Sequence, residues 1–403
     1  VGLVADGLGP VDERRQRVVE SVGILDQAHQ ERLDRITRMA TVAFGVPISS
    51  ITMLDGDTVR FPSVVGMPAR PMPRQDTFCD RSVRLGGSIV SEDTAADPRF
   101  NDLALVHGDP PFRFYAAHPL CDPYGNVMGT FCVYDHEPRA FPERDRQLLA
   151  EMGAWAEVEV LALAEMSRAH DAQVSMLPSA PIDRGGWHVD GICLPALSVG
   201  GDYFDYALDD DVVHFGLGDV MGKGTAAALI GAGIRVALRS AHLAVVQGAD
   251  LGVVLGRLEQ GAASDLERAG SYVTLFEGVV DLRTGRLRYA DAGLGLALLV
   301  RADGSHEQLH GEDLPVGVMP GSGFHQHERT VQEGDRILVF SDGVLDLLDD
   351  PDDWMPPLAA LLHAADDPRD VLGQIMMLAI DRTPVDDVTA LVVCRRPSGE
   401  PAA

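Results

Sequence analysis

A chain of 403 residues with a formal net charge of −28 is too long for one ordinary core, and its charge argues against nucleic acid or an anionic membrane as partner. Its 46% hydrophobic and 23% charged residues describe a globular protein of two or three domains. The five cysteines stand singly with no C-x-x-C pair, which excludes a familiar zinc site, argues against a disulfide framework and predicts buried thiols in a reducing compartment. No basic segment followed by an apolar core opens the chain, and no run approaches the ~18 apolar residues of a membrane span. A soluble, cytoplasmic protein is expected, with no membrane or nucleic-acid partner.

In chain order, residues 1–17 read as a flexible N-terminus. A helix follows from about Gln30 to Phe44, with Leu33, Ile36, Met39, Ala40 and Ala43 on one face. Ile48–Leu54 and Thr58–Val64 read as strands joined at Asp55-Gly56-Asp57. Further strands are predicted at Ser88–Ser91, Phe114–Pro119 and Val127–Tyr134. These pieces resemble a GAF domain. The resemblance rests on Gly23-Ile24-Leu25-Asp26, Phe44-Gly45-Val46-Pro47-Ile48, Thr77-Phe78-Cys79, Asp97-Pro98-Arg99-Phe100, Phe114 to Leu120, and above all Gly129-Thr130-Phe131-Cys132-Val133-Tyr134-Asp135. It implies a six-stranded antiparallel sheet flanked by helices over residues 18–146, with a ligand cavity in many members and the ligand unnamed. Cys79 and His118 read as buried structural residues rather than ligands.

Glu143 to Met176 reads as one long helix, and residues 147–178 as a linker between domains. Leu148, Met152, Trp155, Ala162, Met166, Ala169 and Met176 form one heptad seam, and Leu149, Ala156, Val160, Leu163, Val174 and Leu177 a second. Two apolar stripes need two partners, so a parallel coiled coil in a homodimer is expected; the alternative is a helix packed within one subunit. Pro178 stops the helix, and Ser179–Gly186 reads as a Pro/Gly linker.

From Trp187 the pattern is rich in strands: His188–Leu194, Tyr203–Leu208, Val212–Gly218, Tyr272–Asp281, Arg286–Asp291, Gly295–Arg301, Arg336–Phe340 and Val388–Cys394. Helices are predicted at Gly224–Leu243, Asp250–Ala263, Trp354–Ala364 and Pro368–Ile380. The stretch Gly216 to Thr225, GLGDVMGKGT, sets Asp219 among small residues between a strand and an Ala-rich helix. It reads either as a turn capping the helix or as a phosphate-binding loop, and the Walker pattern fails at Leu217 and Gly224. Carboxylates also stand at strand ends in Gly200-Gly201-Asp202, Ser341-Asp342-Gly343 and Asp386-Asp387-Val388-Thr389. Like charges gathered without cationic partners raise one another's pKa, unless metal ions sit among them. An all-oxygen set selects Mg²⁺ or Mn²⁺, and two such ions sharing one carboxylate can place water in line with phosphorus.

Residues 171–395 resemble the PPM-type metal-dependent protein phosphatases, in the RsbU-like branch that controls bacterial sigma factors. The motifs are Gln173 with Leu177-Pro178, Val199 to Asp205, Gly218 to Gly224, Val273 to Phe276, Leu314 to Gly317, Gly334-Asp335, Phe340 to Val344 and Asp386 to Thr389. The implied fold class is α+β: a GAF domain, a long linker helix, and a PPM-type β-sandwich flanked by helices over 179–396, with 397–403 as a tail. The resemblance makes Asp219 the carboxylate that bridges two Mn²⁺ or Mg²⁺ ions, with the Val220 carbonyl completing one site. Asp202 would hold one ion and Asp342 with Asp386 the other; Asp387 is the lesser candidate of its pair. Asp219 and Asp202 are accordingly the candidate catalytic residues. Ala292-Gly293-Leu294 departs from the family's Ala-Gly-His, which puts the loop around the site in doubt. The implied activity is direct hydrolysis of a phosphoserine or phosphothreonine protein, an anti-sigma antagonist, under control of the GAF domain. No Cys-x5-Arg loop is present, as fits direct hydrolysis. The alternatives are a catalytically silent sensor and a metal-dependent hydrolase of small phosphoesters.

Overall fold

The computed structural model describes residues 27–397 apart from residue 366. The expectations for residues 1–17 and for the tail from 398, and the Gly23–Asp26 motif, lie outside the described residues. Two compact units divide after Arg168.

In the first unit, α1 (Gln27–Phe44) precedes a six-stranded sheet. Its strands are β1 (Ile48–Asp55), β2 (Thr58–Val65), β3 (Met72–Pro73), β4 (Ile89–Ser91), β5 (Phe114–Cys121) and β6 (Val127–Asp135). The order is β3-β2-β1-β6-β5-β4, antiparallel throughout. The central strands β1 and β6 are buried on both faces, so each reads as a continuous non-charged run rather than an alternation. On one face, Leu33, Ile36 and Ala40 of α1 pack with Phe114, Phe131 and Val133. On the other lie Phe78, Phe100, Tyr115 and Tyr134, with Cys79 and Cys132 among them. The helix α2 (Phe78–Leu85) that delivers Phe78 and Cys79 was not predicted; at eight residues it is too short to show a period. Its start is fixed by Thr77, whose hydroxyl accepts from the Asp80 N–H at 3.3 Å.

The long helix α3 spans Glu143–Met176 as predicted. Leu149, Ala156, Val160 and Leu163 of the second seam are buried, together with Met152. Trp155, Val158, Val174 and Met176 remain exposed.

The second unit stacks two antiparallel sheets. One is β15-β12-β11-β10-β9, from β9 (Tyr203–Asp209), β10 (Val212–Val220), β11 (Val273–Asp281), β12 (Arg286–Ala292) and β15 (His327–Thr330). The other is β14-β13-β16-β17-β8-β7, from β7 (Ile182–Arg184), β8 (Trp187–Leu194), β13 (Ala297–Val300), β14 (His306–Gln308), β16 (Arg336–Phe340) and β17 (Val388–Arg395). Between them lies a core that includes Trp187, Phe204, Phe215, Leu217, Phe276, Ile337 and Leu391. Helices α4 (Thr225–Val246) and α5 (Leu251–Ala269) cover the first sheet, and α6 (Met355–Ala364) and α7 (Pro368–Arg382) the second. Part of the expected Pro/Gly linker is strand: Ile182–Arg184 pairs with β8.

One correction concerns α4. Against the expectation of no run of membrane-spanning length, it is long and apolar enough to cross a membrane by length and composition. In this fold it is a layer on the sheet. Gly231 lies so close to the strand-entry loop that a Cβ would meet the Gly201 carbonyl oxygen at 2.7 Å, and Arg235 pairs with Asp205 at 3.2 Å.

Candidate active site

The candidate carboxylates come from both sheets of the second unit. Asp202 immediately precedes β9, Asp219 lies in β10 opposite Thr274 of β11, and Val220 ends β10. Asp342 opens a 3-10 turn (Asp342–Leu347) after β16, and Asp386 and Asp387 immediately precede β17. The sandwich therefore brings together motifs separated by as many as 186 residues, the interval spanned by the bond from Gly201 N–H to Asp387.

Asp387 organises this meeting. One of its carboxylate oxygens accepts from the Ala196 N–H at 2.8 Å; the other accepts from Gly201 at 2.7 Å and Asp202 at 3.4 Å. Its own carbonyl accepts from the Ser341 hydroxyl at 3.1 Å, and the Thr389 N–H donates to that hydroxyl at 3.0 Å. The glycines here have a direct steric reason. A Cβ on Gly200 would lie 2.2 Å from an Asp387 carboxylate oxygen, and one on Gly343 would lie 2.2 Å from the Asp387 carbonyl. With both carboxylate oxygens taken by backbone donors, Asp387 holds the strand-entry loop in place. Asp387→Ala should therefore cost about 3 kcal/mol or more in denaturant unfolding, since it strands buried N–H groups. Asp386→Ala, on a partly exposed residue, should cost no more than ~1 kcal/mol.

Gln173, near the end of α3, grips the same loop. Its amide donates to the Gly200 carbonyl at 2.7 Å and accepts from the Gly200 N–H at 3.1 Å. His170, one turn earlier, contacts the Ser198 carbonyl at 2.7 Å. The sequence marked Gln173 as part of a motif without showing what it touches.

The remaining carboxylates are under electrostatic load. Asp202 is 2% exposed, and its Oδ2 has no hydrogen-bond partner. Burial pushes its carboxyl well up, with Asp219 and Asp387 adding to the shift. Asp219 is pushed up to about 6, first by burial and then by Asp342. Asp342 is raised by burial and then by Asp386. Asp219 thus bears on both halves of the cluster.

The expectation that most of these carboxylates have no Lys or Arg beside them allows an exception, and it lies at Asp386. Lys223 Nζ lies 2.9 Å from Asp386 Oδ2 and donates to the Val385 carbonyl at 2.6 Å. The sequence placed Lys223 in a glycine-rich turn but could not show that its side chain crosses to a loop 162 residues away. Two other details bear on the site's surroundings. Asp205 pairs with Arg235 and Arg239 of α4. Leu294, which stands where the family often has His, is buried between the sheets, while Asp291 secures its loop by accepting from Leu294 and Gly295 N–H.

Among the described residues, no three His, Cys, Asp or Glu side chains close around a common point as they would on a bound ion. The donors nevertheless fit a hard divalent cation in kind. They are carboxylates with a backbone carbonyl nearby, and one buried carboxylate oxygen has no partner. Without metal, the raised pKa values favour the protonated folded state. Stability should therefore fall as pH rises from the ordinary carboxylate range through about 6. Thermal unfolding in a chelator should show a higher Tm at pH 5 than at pH 7.5, and Asp202→Asn should narrow that gap.

Comparison with known proteins decides the class. A model of stage II sporulation protein E (SpoIIE) matches residues 209–396, and a GAF-domain model matches residues 28–160. The chain joins a GAF domain to a SpoIIE-type domain of the PPM phosphatase family. It is 38% identical over 142 residues to a cyclic di-GMP phosphodiesterase of Pseudomonas aeruginosa, covering 35% of this chain and 24% of that protein. It is 26% identical over 262 residues to protein IcfG of Synechocystis sp., covering 57% and 41%. With phosphoserine phosphatase RsbU of Bacillus subtilis it shares 25% identity over 182 residues, covering 45% and 53%. The chain spans about half or less of the length of these relatives.

Proposed function

We propose that this GAF-linked PPM protein is a cytoplasmic phosphatase that hydrolyses a phosphoserine or phosphothreonine protein. The observation that carries the proposal is Asp202: a buried carboxylate with an unpartnered oxygen, in a cluster with Asp219, Asp342 and Asp386. Asp202, Asp219, Asp342, Asp386 and the Val220 carbonyl are assigned as ligands, and Asp387 as the residue that positions Asp202. Two Mn²⁺ or Mg²⁺ ions held there would polarise the phosphoryl group and lower the pKa of the attacking water.

The family resemblance supports an anti-sigma antagonist as substrate, and the phosphoserine phosphatase activity for which RsbU is named supports a phosphoserine. Control by an unidentified GAF ligand is assigned to α3, in a homodimer formed along its exposed stripe. The supporting contact is the Gln173 amide on Gly200, two residues before Asp202. Gln173→Ala is expected to weaken Mn²⁺ binding about tenfold, on the scale of one or two lost hydrogen bonds, with little change in Tm. Isothermal titration on the full chain reads this.

The substrate class is tested by offering the full chain a phosphoserine peptide beside a panel of nucleotides, with Mn²⁺. Phosphate release from the peptide in preference to nucleotides is expected. Preference for nucleotides would transfer the site to small phosphoesters.

A further inference from the structure

The second face of the GAF sheet carries a polar cluster that the phosphatase reading does not use. Cys132 of β6 is fully buried and Cys79 is 2% exposed, and their sulfurs are 3.9 Å apart. Hydroxyls crowd around them. Tyr134 OH lies 3.6 Å from Cys79 Sγ, while Tyr115 OH at 3.6 Å and Thr130 Oγ1 at 2.9 Å approach Cys132 Sγ. A second rank holds these in place, with Ser82 on Tyr115 at 2.8 Å and Thr52 on Thr130 at 2.7 Å.

Two inert hydrophobic thiols would need no such shell, and burying hydroxyls in a core costs stability unless each is hydrogen-bonded. The two sulfurs are also unlike each other. Cys79 is the second residue of α2, and hydrogen bonding from Cys132, then from Thr130, Thr52 and Tyr134, outweighs burial and brings its thiol down to about 6. Cys132 sits mid-strand, and burial pushes its thiol well up. The arrangement is two sulfurs in contact at 3.9 Å, of which Cys79 is the more readily ionised.

We propose that Cys79 and Cys132 form a peroxide-responsive dithiol, with Cys79 as the sulfur that is oxidised and Cys132 as the sulfur that resolves it. The Cys79 thiolate attacks one oxygen of hydrogen peroxide, the O–O bond breaks, and the departing hydroxide takes a proton to become water. Cys79 is left as the sulfenic acid. Cys132 sulfur then attacks Cys79 sulfur, and the sulfenic hydroxyl leaves with the Cys132 proton as a second water. Two thiols and one peroxide give one disulfide and two waters. Bond formation brings the sulfurs roughly 2 Å closer, to the ~2.05 Å of a disulfide, and ties α2 covalently to β6. Both sulfurs are buried, so the proposal has peroxide, little larger than water, enter through a local opening of α2.

The test uses the full chain treated with hydrogen peroxide, alkylated under denaturing conditions and digested without reductant. Tryptic cleavage puts Cys79 alone in residues 75–81 and Cys121 with Cys132 in residues 114–139, so fragment ions must localise the link. The expected product joins Cys79 to Cys132 in most molecules and returns to two alkylated thiols after dithiothreitol. In Cys132→Ser, Cys79 should instead be trapped as a sulfenic acid by dimedone. If peroxide sufficient to oxidise half-buried Cys121 leaves Cys79 and Cys132 as free thiols, or if Cys79 links only to another cysteine, the proposal is overturned. The readout is independent of phosphatase activity.

Discussion

Asp219→Asn should abolish metal-dependent phosphate release while leaving the fold intact. Asp219 is the carboxylate that senses both halves of the cluster. Asp342, Asp386 and Asp387 all raise its pKa, and it in turn raises that of Asp202. An amide of the same shape keeps the β10 pairing, because the ladder bonds of Asp219 are made by its backbone. What disappears is the negative charge that two cations would share. The loss in kcat should be at least ~10²-fold, the scale seen when one preorganised electrostatic group is removed from a reacting centre. Relief of like-charge repulsion should leave Tm in a chelator unchanged or higher, which separates loss of function from loss of fold.

Lys223→Met should tighten Mn²⁺ binding, by about five- to tenfold for the ion nearest Asp386. The Lys223 ammonium occupies one Asp386 oxygen at 2.9 Å and offsets a small part of the upward shift of Asp342, so a cation arriving between these two carboxylates must displace it. A half-exposed ion pair is worth ~1 kcal/mol, which sets the size of the gain. Gly222 and Gly224, with φ of 109° and 74°, flank Lys223 at the entrance to α4, so the loop has backbone freedom to withdraw the side chain. Lys223→Arg should bind like the wild type. Weaker Mn²⁺ binding by Lys223→Met would make Lys223 a supporting group rather than a competitor. Titration calorimetry on the full chain distinguishes the two.

Most of the fold was legible because its signals are local. The long apolar helical pattern ended by Pro178 gave α3 its limits, and the apolar runs of β10, β11, β16 and β17 appeared in the sequence as strands. The short edge strands β3, β7, β14 and β15 were missed because two to four residues carry no period. The acidic positions were legible as a set, but their division of labour was not. Asp386 and Asp387 are neighbours, and only the fold turns Gly200 and Gly201 onto Asp387 and leaves Asp386 facing Lys223. Hydrogen bonds that join residues 27, 162 and 186 positions apart have no local trace. The Cys79 and Cys132 pair was hidden for the same reason. Each reads as a single buried thiol until α2 is laid across β6.

The most direct measurement is phosphate release from a phosphoserine peptide by the folded full chain as a function of Mn²⁺ concentration. Saturable release that EDTA abolishes and Asp219→Asn lacks is the predicted result. A folded chain that releases no phosphate at any Mn²⁺ concentration, or whose release survives chelation, would contradict the assignment of the carboxylate cluster as a metal-dependent phosphatase site.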